Sequence, residues 1–134
     1  MKYMLDTNVC ISIIRQKPAE LLEKLTRLAP GEVGVSAITV SELACGAQKS
    51  NFPAQNMAAL EQFLLPLEIA EYGHAAATTY GKIRAELERN DQPIGAMDIL
   101  IGAHALSLNI VLVTNNTREF QRIPNLKLED WITG

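Results

Sequence analysis

Four short strand-like runs, the first three each followed by longer stretches with helical spacing, constrain this chain more than any other feature. They are residues 2–5, 32–36, 67–70 and 110–113. Ile110-Val111-Leu112-Val113 is apolar without interruption. That is the pattern of a strand covered on both faces in a parallel sheet. Between the runs, Leu21, Leu22, Leu25 and Leu28 recur at helical spacing, and 98–108 is almost wholly apolar. The second pattern marks a buried helix. Further helices are expected through about Arg15, from Thr39 to about Lys49, from Pro53 to about Leu65 and from Gly73 to about Arg89. Pro18 suits the first turn of the Leu-rich helix, Asn90-Asp91-Gln92-Pro93 reads as a turn, and residues 126–129 as a last strand.

Strands that alternate with helices predict an α/β fold in three layers, helices on both faces of a mainly parallel sheet. The 134 residues suffice for one domain spanning 1–134, and no linker or repeat divides them. Apolar residues make up 48% of the chain and charged residues 20%. That composition is the one expected of a soluble globular protein. No apolar run approaches the roughly 20 residues that span a bilayer, and the start lacks the form of a signal peptide. A cytoplasmic location is expected. Cys10 and Cys45 lack zinc spacing and are both expected to be small buried hydrophobes.

Three acids stand inside apolar runs at strand-to-helix junctions: Asp6, Glu42 and Asp98. Each has a plain structural explanation. Asp6 is a favoured N-cap, Thr39-x-x-Glu42 has the form of a capping box, and Asp98 can cap a helix starting at Ile99. Ligand crevices of open α/β sheets lie at the carboxyl ends of the strands. Three acids aimed there would crowd like charges, and a divalent cation that prefers hard oxygen ligands relieves them. That chemistry suits hydrolysis of a phosphodiester. The metal would neutralise developing charge and acidify water, while Asp98 or Glu42 accepts a proton or orients the water.

The net charge is −3. A nucleic-acid binder usually has a basic balance instead. Without the three acids the balance is even, so an acidic pit in a neutral body stays compatible with RNA. Candidate phosphate contacts are Arg15, Lys17 and Arg118, with Lys49, Arg84, Arg89 and Arg122 further off in sequence. Apolar stripes at 12–29 and 53–65 serve either the core or a groove for a partner helix or strand.

Four blocks carry a resemblance: Met4-Leu5-Asp6-Thr7-Asn8, Ser36-x-x-Thr39-x-Ser41-Glu42-Leu43-x-x-Gly46, Met97-Asp98-Ile99-Leu100-Ile101-Gly102-Ala103-x-Ala105, and Leu112-Val113-Thr114-Asn115-Asn116-x-Arg118-Glu119-Phe120. In order and spacing they resemble the signature blocks of the PIN-domain family, in its VapC-type toxin branch. The resemblance implies a PIN-like α/β/α sandwich and an Mg²⁺-dependent endoribonuclease in which Mn²⁺ substitutes. Asp6 and Asp98 match the principal metal ligands, and Glu42 the third acidic position. Thr7 and Thr114 match small polar residues of the site. It further implies a specific RNA substrate, initiator tRNA cut in the anticodon stem-loop with 5′-phosphate and 3′-hydroxyl ends. A VapB-type antitoxin as inhibitor and a homodimer, in a larger complex with it, are implied too. Asn116 stands where an Asp is common, which leaves one metal or two open, and leaves open whether Asn116 or Glu119 is the fourth group.

Three other readings compete. His74 and His104, the only histidines, would serve a metal-independent RNA cleavage that leaves cyclic phosphates. Asp6 would be the nucleophile of an aspartyl phosphotransferase, though Asn8 stands where such enzymes commonly carry a second Asp. A catalytically dead binding module would keep RNA affinity without turnover.

Overall fold

The structure is a computed structural model that describes residues 1–133. The first strand, β1 (Tyr3–Leu5), leads into α1 (Thr7–Ile14) and α2 (Ala19–Thr26). Then come β2 (Val33–Ser36), α3 (Ala37–Gln48), α4 (Pro53–Leu64), β3 (Glu68–Ala70) and α5 (His74–Arg89). The chain ends with α6 (Ala96–Ser107), β4 (Val111–Val113), α7 (Thr117–Phe120) and β5 (Leu128–Glu129). All five strands are parallel, in the order β3-β2-β1-β4-β5.

The sheet separates two cores. Met4 and Leu112 turn to the side of α5, α6 and α7, where they meet Ile83, Leu87, Ile99 and Phe120. Their neighbours Leu5 and Val113 turn to the side of α1–α4, where they meet Val9, Ile13, Leu43 and Leu60. Successive strand residues face opposite sides, so only a sheet covered on both faces buries such runs completely. The expected three-layer fold is present, and the parallel sheet has no antiparallel member among the described residues.

Helix boundaries decide how the acids are read. Ser36 caps α3, its Oγ accepting from Ile38 N at 3.0 Å. The helix therefore starts at Ala37, and Glu42 lies in its second turn. The capping-box reading of Thr39 and Glu42 is wrong. Gly95 occupies the N-cap of α6, so Asp98 is its third residue and caps nothing. Asp6 does cap α1: Oδ1 accepts from Val9 N at 2.8 Å. Pro18 stands at the N-cap of α2, one residue before the helix. Cys10 is fully buried as expected, but Cys45 is exposed on α3. Among the described residues no helix is long and apolar enough to cross a membrane.

Candidate active site

Strand β1 is central, with β2 on one side and β4 on the other, so the strand order reverses beside it. Crevices open at such switch points. The Asp6 amide donates to Val113 O at 3.0 Å, which joins the carboxyl ends of β1 and β4. Asp6 is 4% exposed, and its carboxyl titrates above the usual range. Burial is the main cause and Glu42 adds repulsion. Hydrogen bonds from the Thr114 side chain and the amides of Val9 and Asn8 oppose the rise. Thr114 is fully buried, and its Oγ1 accepts from Asn116 N at 2.9 Å while its proton serves Asp6.

Asp98 enters from α6, half-buried. Its pKa is pushed up to about 6, first by burial, then by repulsion from Glu119, Asp6 and Glu42. Those three acids and Asp98 thus share one pit. Glu42 arrives from α3, and its Oε1 accepts from Thr7 Oγ1 at 2.6 Å. Glu119 arrives from α7, where Oε2 accepts from Asn116 Nδ2 at 3.0 Å. The two candidates for the fourth group therefore act as a pair: Glu119 brings the charge and Asn116 holds it. Three acids each have an intramolecular donor on one oxygen, whereas no hydrogen bond offsets the rise at Asp98.

As these side chains stand, no three His, Cys, Asp or Glu groups among the described residues close on one point tightly enough to hold a metal ion. The donor chemistry still fits one. Asp6 and Asp98 are hard oxygen donors whose carboxyls are raised first by burial and then by neighbouring acids, and a bound divalent cation would offset both.

The cations divide clearly. Arg15, at the end of α1, lines a cleft of about 440 Å³ together with Glu42, Ile14, Leu43 and Leu60. Arg118 is exposed beside Glu119 and forms no ion pair among the described residues. Lys17 lies beyond the far end of α1 and, unlike Arg15, does not line the cleft beside Glu42. It is not brought to the pit. Arg84 is engaged with Tyr80 and Glu88, and Arg122 donates to Pro93 O at 2.8 Å. His104 is fully buried, with Nδ1 2.8 Å from Ser36 Oγ and Tyr72 packed edge-on. His74 is exposed at the start of α5, so the paired-histidine reading has no geometry to support it. Thr39 is a site residue the sequence did not reveal. It is fully buried, with Oγ1 3.3 Å from Thr7 Oγ1.

The family profile described as "PIN domain" matches residues 3–126. This chain belongs to the PIN-domain family. It is 46% identical to the tRNA(fMet)-specific endonuclease VapC of Shigella flexneri over 131 residues, covering 98% of each chain. It is also 46% identical to ribonuclease VapC2 of Haemophilus influenzae, covering 98% of this chain and 99% of that one. Among solved structures, DNA-bound VapBC from Salmonella typhimurium superposes with a TM-score of 0.93 at 46% identity, covering 98% of each chain. With that likeness, the PIN-like sandwich expected from the four blocks is the fold observed.

Proposed function

We propose that this protein is the ribonuclease toxin of a VapBC-type pair. On this reading it is an Mg²⁺-dependent endoribonuclease that cuts initiator tRNA in the anticodon stem-loop and is held inactive by a small VapB-type antitoxin. The observation that carries the reading is the meeting of four carboxylates, from the β1–α1 junction, α3, α6 and α7, at the β1–β4 switch point. The relatives named tRNA(fMet)-specific endonuclease and ribonuclease supply the substrate class. The solved VapBC complex supports the partner.

Asp6 and Asp98 would hold the cation, with Glu42 and Glu119 beside them. When bound, it supplies positive charge to a phosphodiester and lowers the pKa of water. The residues do the rest. Four acids in one pit repel a polyanion, so RNA enters only when that charge is balanced. Thr7 occupies one oxygen of Glu42, which leaves Oε2 to take a proton from the attacking water. Asn116 does the same for Glu119 and leaves Oε1 free. Arg118, on α7 beside Glu119, and Arg15, in the cleft that Glu42 also lines, would neutralise flanking phosphates.

The cleft beside Glu42 is the antitoxin's seat on this reading. Its walls are mainly apolar side chains of α1, α3 and α4, with Arg15, Glu42, Ser50 and Asn56 as the polar members. A helix or strand laid there reaches the acidic pit at the Glu42 end, where a basic side chain would replace the cation.

The test compares initiator tRNA with elongator methionine tRNA as substrates of the purified chain in Mg²⁺. Cutting of the first alone supports the assignment. Equal cutting of both would remove the proposed specificity.

A further inference from the structure

Thr39 has a polar atom at the centre of the α1–α3 contact. Its hydroxyl is completely buried and has one partner among the described residues, Thr7 Oγ1 at 3.3 Å. Thr7 Oγ1 in turn lies 2.6 Å from Glu42 Oε1. A hydroxyl has one proton to give. Were Thr7 to donate to Thr39, its oxygen would face the Glu42 carboxylate at 2.6 Å with no hydrogen between them, and the two would repel. The Thr39 proton would also be buried without an acceptor, a costly arrangement. The proton order with every group satisfied runs from Thr39 to Thr7 to Glu42.

We propose that Thr39 is a positioning residue. Its buried hydroxyl donates to Thr7 Oγ1, which commits the Thr7 proton to Glu42 Oε1 and leaves Oε2 as the one free oxygen of that carboxylate. The Thr39–Thr7 separation of 3.3 Å is long for a hydroxyl pair. Thr39 therefore fixes direction more than it adds strength. The bond of 2.6 Å from Thr7 to Glu42 is the strong member. Its acceptor is charged, which shortens and strengthens a hydrogen bond. Glu42 sits on the second turn of α3 rather than at its start, so its long side chain has rotamer freedom to lose. The relay restricts that freedom from α1 and α3 together. The consequence for cation binding rests on the metallonuclease reading above.

The test uses the full chain, freed of any antitoxin, titrated with Mn²⁺. Thr39→Val keeps the shape and removes the hydroxyl, whereas Thr39→Ser keeps the hydroxyl. Thr7→Val is expected to weaken Mn²⁺ binding about ten-fold, and Thr39→Val about three-fold. Thr39→Ser is expected to bind as the parent does. The double variant is expected to match Thr7→Val alone, because Thr39 acts only through Thr7. Crystals of metal-free Thr39→Val should show the Thr7 hydroxyl in more than one rotamer and Glu42 less ordered, with α1 and α3 unmoved. Parent-like Mn²⁺ binding by Thr39→Val, with Thr7 and Glu42 ordered as in the parent, overturns the proposal. So does a double variant that loses the product of the two single effects, or a Thr39→Ser as weak as Thr39→Val. If the parent and Asp98→Asn take up Mn²⁺ equally, the metal site fails instead. The order of Thr7 and Glu42 in the Thr39→Val crystals then still decides the relay.

Discussion

Asp98 is the residue at which fold and chemistry pull apart. Its pKa of about 6 lies above the 3.8 of an ordinary Asp. The folded chain therefore holds this proton to higher pH than the unfolded chain does. Stability from this group is lost as pH rises from about 4 through 6, and the full cost is present at pH 7. Asp98→Asn should raise the melting temperature of the metal-free protein by a few degrees at pH 7. The gain should vanish towards pH 4, as thermal denaturation across that range would show. The same substitution should abolish cleavage. His104 runs the other way. Burial lowers its pKa from 6.5, and the backbone carbonyl of Glu71 only partly offsets this. The unfolded chain takes up the proton near that ordinary value and the folded chain does not, so stability falls as pH drops below it. Replacing His104 with Gln should flatten this acid-side loss in the same scans.

At the scale of elements, the ends of helices separate what the sequence showed from what it hid. Asp6 was legible because an N-cap role and a site role share one geometry at the end of β1. Glu42 was legible as a site acid, but its local explanation was not. Ser36 starts α3 three residues before Thr39, and this moves Glu42 on to the face that meets α1. The Thr39–Thr7 contact spans 32 residues of sequence and depends on how two helices lie together, which no local pattern records. Ser36 serves both as the cap of α3 and as partner of His104. Ser36→Ala should therefore cost about 1–2 kcal/mol in denaturant unfolding, more than an ordinary cap. Helices α1, α5 and α6 all end on left-handed residues: Gln16, Asp91 and Asn109. At α1 the Lys17 amide reaches back to Ser12 O. This closes a Schellman turn without glycine. Gln16→Gly should raise stability by about 0.5–1 kcal/mol, whereas Asn109→Gly should be nearly neutral because Asn already tolerates that conformation. Urea unfolding of the two variants beside the parent measures both.

For the whole molecule, the parallel sheet does two jobs. It gathers acids from three helices and the β1–α1 junction at the carboxyl ends of its strands, and it leaves the α1–α3–α4 cleft open beside them. Gly46 lines that cleft in the middle of α3, and a Cβ built there would meet nothing within 4 Å. A mid-helix glycine costs about 0.5–1 kcal/mol against alanine, so Gly46→Ala should stabilise the isolated chain by that amount. Gly46→Leu should fold equally well yet weaken the complex with the antitoxin, because its side chain occupies the cleft. Pull-down of the co-expressed antitoxin, with melting temperature as control, separates the two effects. The parallel sheet was legible from strand–helix alternation, but its strand order and the cleft were not. The cleft arises from how α4 packs on α3, and apolar stripes alone do not distinguish a groove from a core.

The most direct test of the account is sequencing of the fragment ends left on total tRNA. The parent chain, freed of antitoxin, is compared with Asp98→Asn, each in Mg²⁺ and in EDTA. The account predicts one discrete cut with 5′-phosphate and 3′-hydroxyl ends, present only for the parent in Mg²⁺. Cleavage that survives EDTA, or that persists in Asp98→Asn, would contradict a carboxylate-held cation as the centre of this site.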